Sequence, residues 1–223
     1  MTGFSADWLA LRKPADDAAR DEVLMQRLCE WAANRDGPLR ISDYGGGTGA
    51  GLAALSPHLP SAQQWRILDK DAELLARIPK RENVQTVVAD LAAAPEIGLS
   101  PAPHIVTGFA FFDLVSAEWI DRLVPLIAKT GAAVYAPLTY DGVEVWAPTP
   151  PHEAKAAEAF NKDMRRNKGF GPALGAAATS YLAKALEAEG YSVTTTLTPW
   201  ELTRPRDEAL MDALAEGGAN TLI

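Results

Sequence analysis

One stretch restricts the possible folds of this chain more than any other. Ile41-Ser-Asp43-Tyr-Gly45-Gly46-Gly47-Thr48-Gly49-Ala-Gly51 sets five glycines between an apolar run, Leu39 to Tyr44, and a second apolar stretch, Leu52 to Leu55. The first run reads as a strand and the second opens a helix. Glycines between them allow positive φ and let bare backbone approach a bound group. A helix N-terminus just beyond leaves N–H groups facing that group. Strand, glycine loop and helix together suit a nucleotide-like cofactor at the carboxyl edge of a parallel sheet. The plainer alternative is a tight glycine-rich turn with no ligand.

Two cofactor readings compete for the same loop. Gly45-x-Gly47-x-x-Ala50 fits a dinucleotide fingerprint, which needs an acidic residue about 20 positions later. Asp69, closing the apolar run Trp65-Arg-Ile-Leu-Asp69, meets that requirement. The other reading starts from Asp43, two residues before the first glycine. A carboxylate placed so early repels a pyrophosphate and attracts a ligand that carries an ammonium and a sulfonium. Its position favours S-adenosylmethionine over NAD.

With these residues the chain resembles the class I S-adenosylmethionine-dependent methyltransferases. Asp43, Gly45, Gly47 and Gly49 match the first motif of that family. Leu68-Asp69-Lys70-Asp71-Ala72-Glu73-Leu74-Leu75 looks like the second, and Val87-Val88-Ala89-Asp90-Leu91 like the third. The resemblance implies that Asp69 holds the ribose hydroxyls and that Asp90 accepts from the adenine amino group. It places Lys70 and Leu91 beside them, and Phe109 at the edge next to the transferable methyl group. Each acid also has an ordinary structural reading. Asp43 and Asp90 can cap turns, Asp69 can simply end a strand, and Asp71 can cap the following helix.

Composition sets the outer limits. With 223 residues, 48% of them hydrophobic, the chain can bury the core of a single α/β domain. A net charge of −8 disfavours general attraction to nucleic acid or to an anionic membrane. No run approaches the roughly 18 apolar residues that would span a bilayer. Met1-Thr-Gly-Phe-Ser-Ala-Asp lacks the basic and apolar regions of a signal peptide, so a cytoplasmic protein is expected. The single cysteine, Cys29, falls in an amphipathic stretch and reads as packing. His58 and His104 have no second ligand at metal spacing, and no metal is expected.

Along the chain helix and strand alternate. A helix is expected from Ala15 to Ala33, and another ends near Leu59. Strands are expected at Trp65–Asp69, Val84–Ala89, His104–Phe109 and Ala132–Leu138. Between them fall helices at Ala72–Ile78 and Ala117–Lys129. A helix at Ala176–Glu189 is stopped by Gly190. A sixth strand is expected at Tyr191–Leu197, and a helix at Arg206–Ala215. This order predicts a doubly wound, mostly parallel, Rossmann-like sheet. The final antiparallel strand usual in the family must be short, at Asn220–Ile223 or as a stub at Trp200–Thr203, or missing. If it is missing, an open edge is available to a second subunit and a homodimer becomes possible. The whole is read as one domain: an N-terminal helical cap (1–38), a cofactor half (39–138), a substrate-side insertion (139–175) and a C-terminal helix and strand (176–223).

The substrate side is expected in the long link after the fifth strand, since long loops inside compact domains are usually functional or mobile. Lys162, Arg165, Arg166 and Lys168 there could bind a carboxylate or phosphate, or form a solvated helix face. Tyr140, Trp146 and Phe160 could wall a pocket. The edge Gly108-Phe109-Ala110-Phe111 lacks the Asn/Asp-Pro-Pro-Tyr acceptors of amine- and amide-modifying family members, which points to a small molecule, anionic if the basic cluster binds it. Asp113, Tyr140 and His152 are the candidates for a general base. In related enzymes the leading segment, with Trp8 and Arg12 before Pro14, folds over the cofactor. Arg12 would then pair with a carboxylate of the cofactor or substrate. Two further readings stay open, a nicotinamide-dependent oxidoreductase and a methyltransferase-like module without turnover. Tyr181-Leu-Ala-Lys184, with its spacing of three, fits the oxidoreductase poorly.

Overall fold

The structure, a computed structural model, describes residues 4–220. Five strands form one sheet: β1 (Leu39–Tyr44), β2 (Gln63–Asp69), β3 (Val84–Val88), β4 (Ile105–Thr107) and β5 (Ala133–Tyr135). Their spatial order is β3-β2-β1-β4-β5, and every pairing is parallel. The order reverses between β1 and β4, so the crevice beyond their carboxyl ends is the position where this architecture receives ligands. Asp43 stands opposite both Ile67 and Thr107 in the register, one residue short of that crevice.

Side-chain alternation explains the two-sided burial. Leu39 and Ile41 face one way with Trp65, Ile67 and Ile105. They pack under α2 (Glu22–Ala33) and α3 (Ala50–Leu55), through Leu28, Ala32, Leu52 and Leu55. Tyr44, Leu68 and Val106 face the other way, onto α5 (Ala117–Thr130) and α7 (Ala178–Ala188). The few polar side chains buried in this sandwich are satisfied locally. The Ser42 hydroxyl donates to the Gly98 carbonyl at 2.6 Å and Thr107 to the Tyr135 carbonyl at 2.7 Å. The exceptions are Asp43, with neither oxygen partnered, and Asp113, with Oδ1 unpartnered.

Four expectations are corrected. The predicted helix 15–33 is two helices, α1 (Ala6–Ala19) and α2. Asp21 accepts from the Leu24 amide at 2.7 Å and starts a new helix where the old one ends at Arg20. The leading segment is itself helical: Ser5 caps α1, and Pro14 lies inside it rather than before it. The sixth strand does not form. Gly190 and Tyr191 close α7 by donating to the Glu187 and Leu186 carbonyls, a left-handed helix stop. The chain then crosses to α2, where Arg27 donates to Thr194 and Thr196 to Asp21, instead of lying along β5. Only Tyr191 and Val193 of that segment reach the core, while its threonines stay exposed. Nor does Trp200–Thr203 make a strand. Of the other expected final strand, Asn220 ends α8 (Glu208–Asn220), and Thr221–Ile223 lie outside the described residues, as do Met1–Gly3.

The remaining elements are α4 (Ala72–Leu75), α6 (Glu153–Met164) and three short 3₁₀ turns. α6 ends at Met164, leaving Lys168 in the loop beyond it. α8 contacts both α6 and α1, and the three helices form a roof over the crevice.

Candidate functional site

A cavity of about 750 Å³ lies beneath that roof, within the range of small-molecule and cofactor sites. Its floor is the set of chain segments leaving all five strands. Two of those segments hold non-glycine residues in left-handed backbone, Ala110 (φ 49°) after β4 and Leu138 (φ 63°) after β5. Such a conformation costs about 1–2 kcal/mol per residue. The Ala110 amide donates to the Pro137 carbonyl at 3.1 Å, so the two strained turns brace each other at the cavity wall.

The glycine loop is shaped by what lies behind it. Gly45 has φ 66°, and a Cβ there would overlap the Phe111 ring. A Cβ at Gly51 would stand 2.5 Å from Asp43 Oδ2, because the carboxylate fills that space. The loop is also tied to the second acid: the Gly47 amide donates to Asp69 Oδ2 at 2.9 Å and the Asp71 amide to Asp69 Oδ1 at 2.9 Å. Asp69 thus fixes the loop, and each of its oxygens keeps a lone pair for a ligand hydroxyl.

Asp43 is fully buried, and neither carboxylate oxygen has a hydrogen-bond partner among the described residues. Burial, and then the nearby charge of Asp69, push its carboxyl up to about 8. An orphaned acid in a cavity wall is costly unless something arrives to compensate it. Asp90 is exposed. Its Oδ1 accepts from the Ala92 amide at 3.0 Å, so it caps a turn, and the residue lines the cavity. Next to it, the Leu91 carbonyl is held by the Trp119 indole N–H at 2.7 Å. Trp119 packs edge-on against Phe111 and Phe170, with both centroid distances 5.5 Å.

All ten residues expected at the cofactor, from Arg12 to Phe109, line this cavity. Arg12 comes in a different state from that expected. Its guanidinium is bidentate on Asp16, at 2.8 and 2.9 Å, and stacks on the Trp200 ring at 5.0 Å. Trp200 also donates to Asp16 at 3.1 Å, which clasps the C-terminal segment to α1. Lys70 faces the loop at Gly169. Phe109 packs edge-on against Tyr135.

The three candidate bases are not among the lining residues. Asp113 is buried behind Leu114, with Oδ1 unpartnered. Burial pushes its carboxyl up to about 6, against the backbone amides of Asp113 and Tyr140 and the charges of Arg12 and Lys168. Tyr140 donates to Asn161 at 3.2 Å, and burial raises its hydroxyl to about 12. His152 is exposed at the start of α6, in left-handed backbone. Phe111, expected at the pocket edge, is on the wall, and so are Phe170, Leu9 and Leu214, which the sequence did not single out. The signal for Leu214 was its four-residue spacing from Leu210 on one face of the last helix. Phe170 carries no local signal, because its place depends on packing against Phe111 and Trp119.

Among the described residues no cluster of His, Cys, Asp or Glu is placed to hold a metal ion, and no helix is long and apolar enough to cross a membrane. No protein-family model and no curated protein matches the sequence. Solved structures do match the fold. A cyclopropane synthase from Mycobacterium tuberculosis aligns at 12% identity and a TM-score of 0.59, over 98% of this chain and 82% of its own. A mitomycin 7-O-methyltransferase aligns at 12% identity and 0.50, over 82% and 48%. Human N-acetylserotonin methyltransferase aligns at 13% identity and 0.45, over 81% and 46%. The chain therefore spans less than half the length of the last two. Its fold is that of the class I S-adenosylmethionine-dependent methyltransferases.

Proposed function

We propose that this chain is a methyltransferase that binds S-adenosylmethionine in the cavity and methylates a small molecule. The observation that carries this reading is Asp43, a buried carboxyl without a partner beneath a loop that has no room for a side chain at Gly51. A cation bound nearby draws that carboxyl back to its ionised form, whereas a pyrophosphate drives it further away. The residues present therefore suit a cofactor with an ammonium group better than a dinucleotide.

S-adenosylmethionine supplies a methyl group already activated for in-line displacement. The protein's part is to hold and align the reactants and to exclude water, which by itself can supply several kcal/mol. Asp69 accepts from the ribose hydroxyls through the lone pairs its backbone contacts leave unused. Asp90 Oδ2 accepts from the adenine amino group, while Leu91 and Phe111 give the ring apolar walls. Phe109 and the braced turns at Ala110 and Leu138 shape the edge where the acceptor meets the cofactor. The mitomycin 7-O-methyltransferase that shares the fold is named for a small-molecule acceptor, which agrees with this reading.

A binding module without turnover is the second reading. It is favoured by the absence of Asp113, Tyr140 and His152 from the cavity lining among the described residues. Both are tested by incubating the protein with methyl-deuterated S-adenosylmethionine and a panel of small acceptors, then reading products by mass spectrometry. Labelled product together with S-adenosylhomocysteine supports transfer. Cofactor binding with no transfer to any acceptor favours the module, and no binding overturns both.

A further inference from the structure

The part of the cavity left over from the cofactor contacts has its own chemistry. Six half-buried apolar side chains converge on it: Trp8 and Leu9 from α1, Leu138 after β5, Phe160 and Met164 from α6, and Leu214 from α8. Partly exposed apolar groups from four separate elements facing one space are completed by an apolar occupant.

Four of the six cations that line the cavity are already neutralised, and the other two, Lys70 and Arg77, come from the segment after β2. Arg12 and Asp16 form a bidentate pair whose side chains are only 15% and 14% exposed. Lys168 is held by Asp163 at 2.8 Å, while Arg20 at 2.6 Å and Lys13 share Asp17. Across the whole lining, seven aspartates face six lysines and arginines, so there is no surplus positive charge. Of the four basic residues that suggested an anionic substrate, only Lys168 lines the cavity, and Asp163 holds it. Lys162, Arg165 and Arg166 are outside the cavity lining, and Arg166 is 72% exposed. An anion entering between α1, α6 and α8 would lose its hydration and find Arg12, Lys13, Arg20 and Lys168 engaged, which is costly.

We infer that the acceptor half of the cavity takes an uncharged apolar molecule, seated between the side chains of α1, α6 and α8. The inference rests on the reading of the opposite half as the cofactor site, since that is what leaves this half for the acceptor.

The test uses two fluorescent probes with the same rings and different charge, N-phenyl-1-naphthylamine and 8-anilino-1-naphthalenesulfonate. The uncharged amine is expected to bind at least about tenfold more tightly than the sulfonate, since desolvating an unpaired charge costs more than 1.4 kcal/mol. Met164→Asp, which adds a charge to the wall, is expected to weaken the amine by about tenfold. Equal or tighter binding of the sulfonate overturns the inference, as does binding of neither probe. So does amine binding that Met164→Asp leaves unchanged, because the probe then sits elsewhere. A separate titration with S-adenosylhomocysteine reads the cofactor half alone, and its failure would overturn the cofactor assignment rather than the polarity of the acceptor wall.

Discussion

Asp43 gives the clearest consequence of a single residue. Its carboxyl is raised from 3.8 to about 8 by burial and by Asp69, so between those limits the folded chain holds a proton that the unfolded chain releases. The stability this contributes is fully present below about pH 4 and is lost as the pH rises toward 8. Urea denaturation at pH 5 and pH 8 should show the wild type losing stability at the higher pH, with Asp43→Asn losing clearly less. An equal loss in both proteins would contradict the buried, unpartnered carboxyl. From sequence, Asp43 was legible as an acid before a glycine loop, but its isolation was not. That isolation arises because Gly46 and Gly51 close over it while Ile67 packs alongside, contacts made by other elements.

At the scale of elements, the glycine loop and the roof make separate predictions. Gly51→Ala places a methyl group 2.5 Å from a carboxylate that has nowhere to go, and overpacking of this kind costs about 1–3 kcal/mol. The loss should appear as a lower urea midpoint with an unchanged slope. The clasp of Trp200 on Arg12 and Asp16 ties the C-terminal segment to α1. Trp200→Ala removes a cation–π contact of about 0.5–1 kcal/mol and one hydrogen bond. It should speed amide exchange in α1 while α5 keeps its protection, and unchanged exchange in α1 would show that the clasp does not hold the roof. Elements marked by local signals were legible: the loop, the Gly190 stop and the strands beside the loop. The break at Asp21 has a local signal too, a capping aspartate, but the apolar period running through it conceals it. The sixth strand does not form despite its β-branched alternation, and the segment instead meets α2 through Arg27–Thr194 and its cap through Thr196–Asp21, contacts that no local signal gives.

At the scale of the molecule, the strand order β3-β2-β1-β4-β5 turns three short acidic motifs, spread over fifty residues of chain, into one cavity floor. That much could be read from the sequence, because each motif ends a strand and parallel strands end at one edge. The roof could not be read, because it joins α1 to Trp200 and α8 from the opposite end of the chain. The central claim is that this floor holds an adenosyl cofactor whose amino acid tail carries an ammonium, rather than a dinucleotide. Calorimetric titration with S-adenosylhomocysteine, with NAD in parallel, tests it most directly. The account predicts micromolar binding of S-adenosylhomocysteine, weakened at least about a hundredfold in Asp69→Ala, which loses both the ribose acceptor and the anchor of Gly47. Binding of NAD in its place, or S-adenosylhomocysteine binding that is indifferent to Asp69, would contradict it.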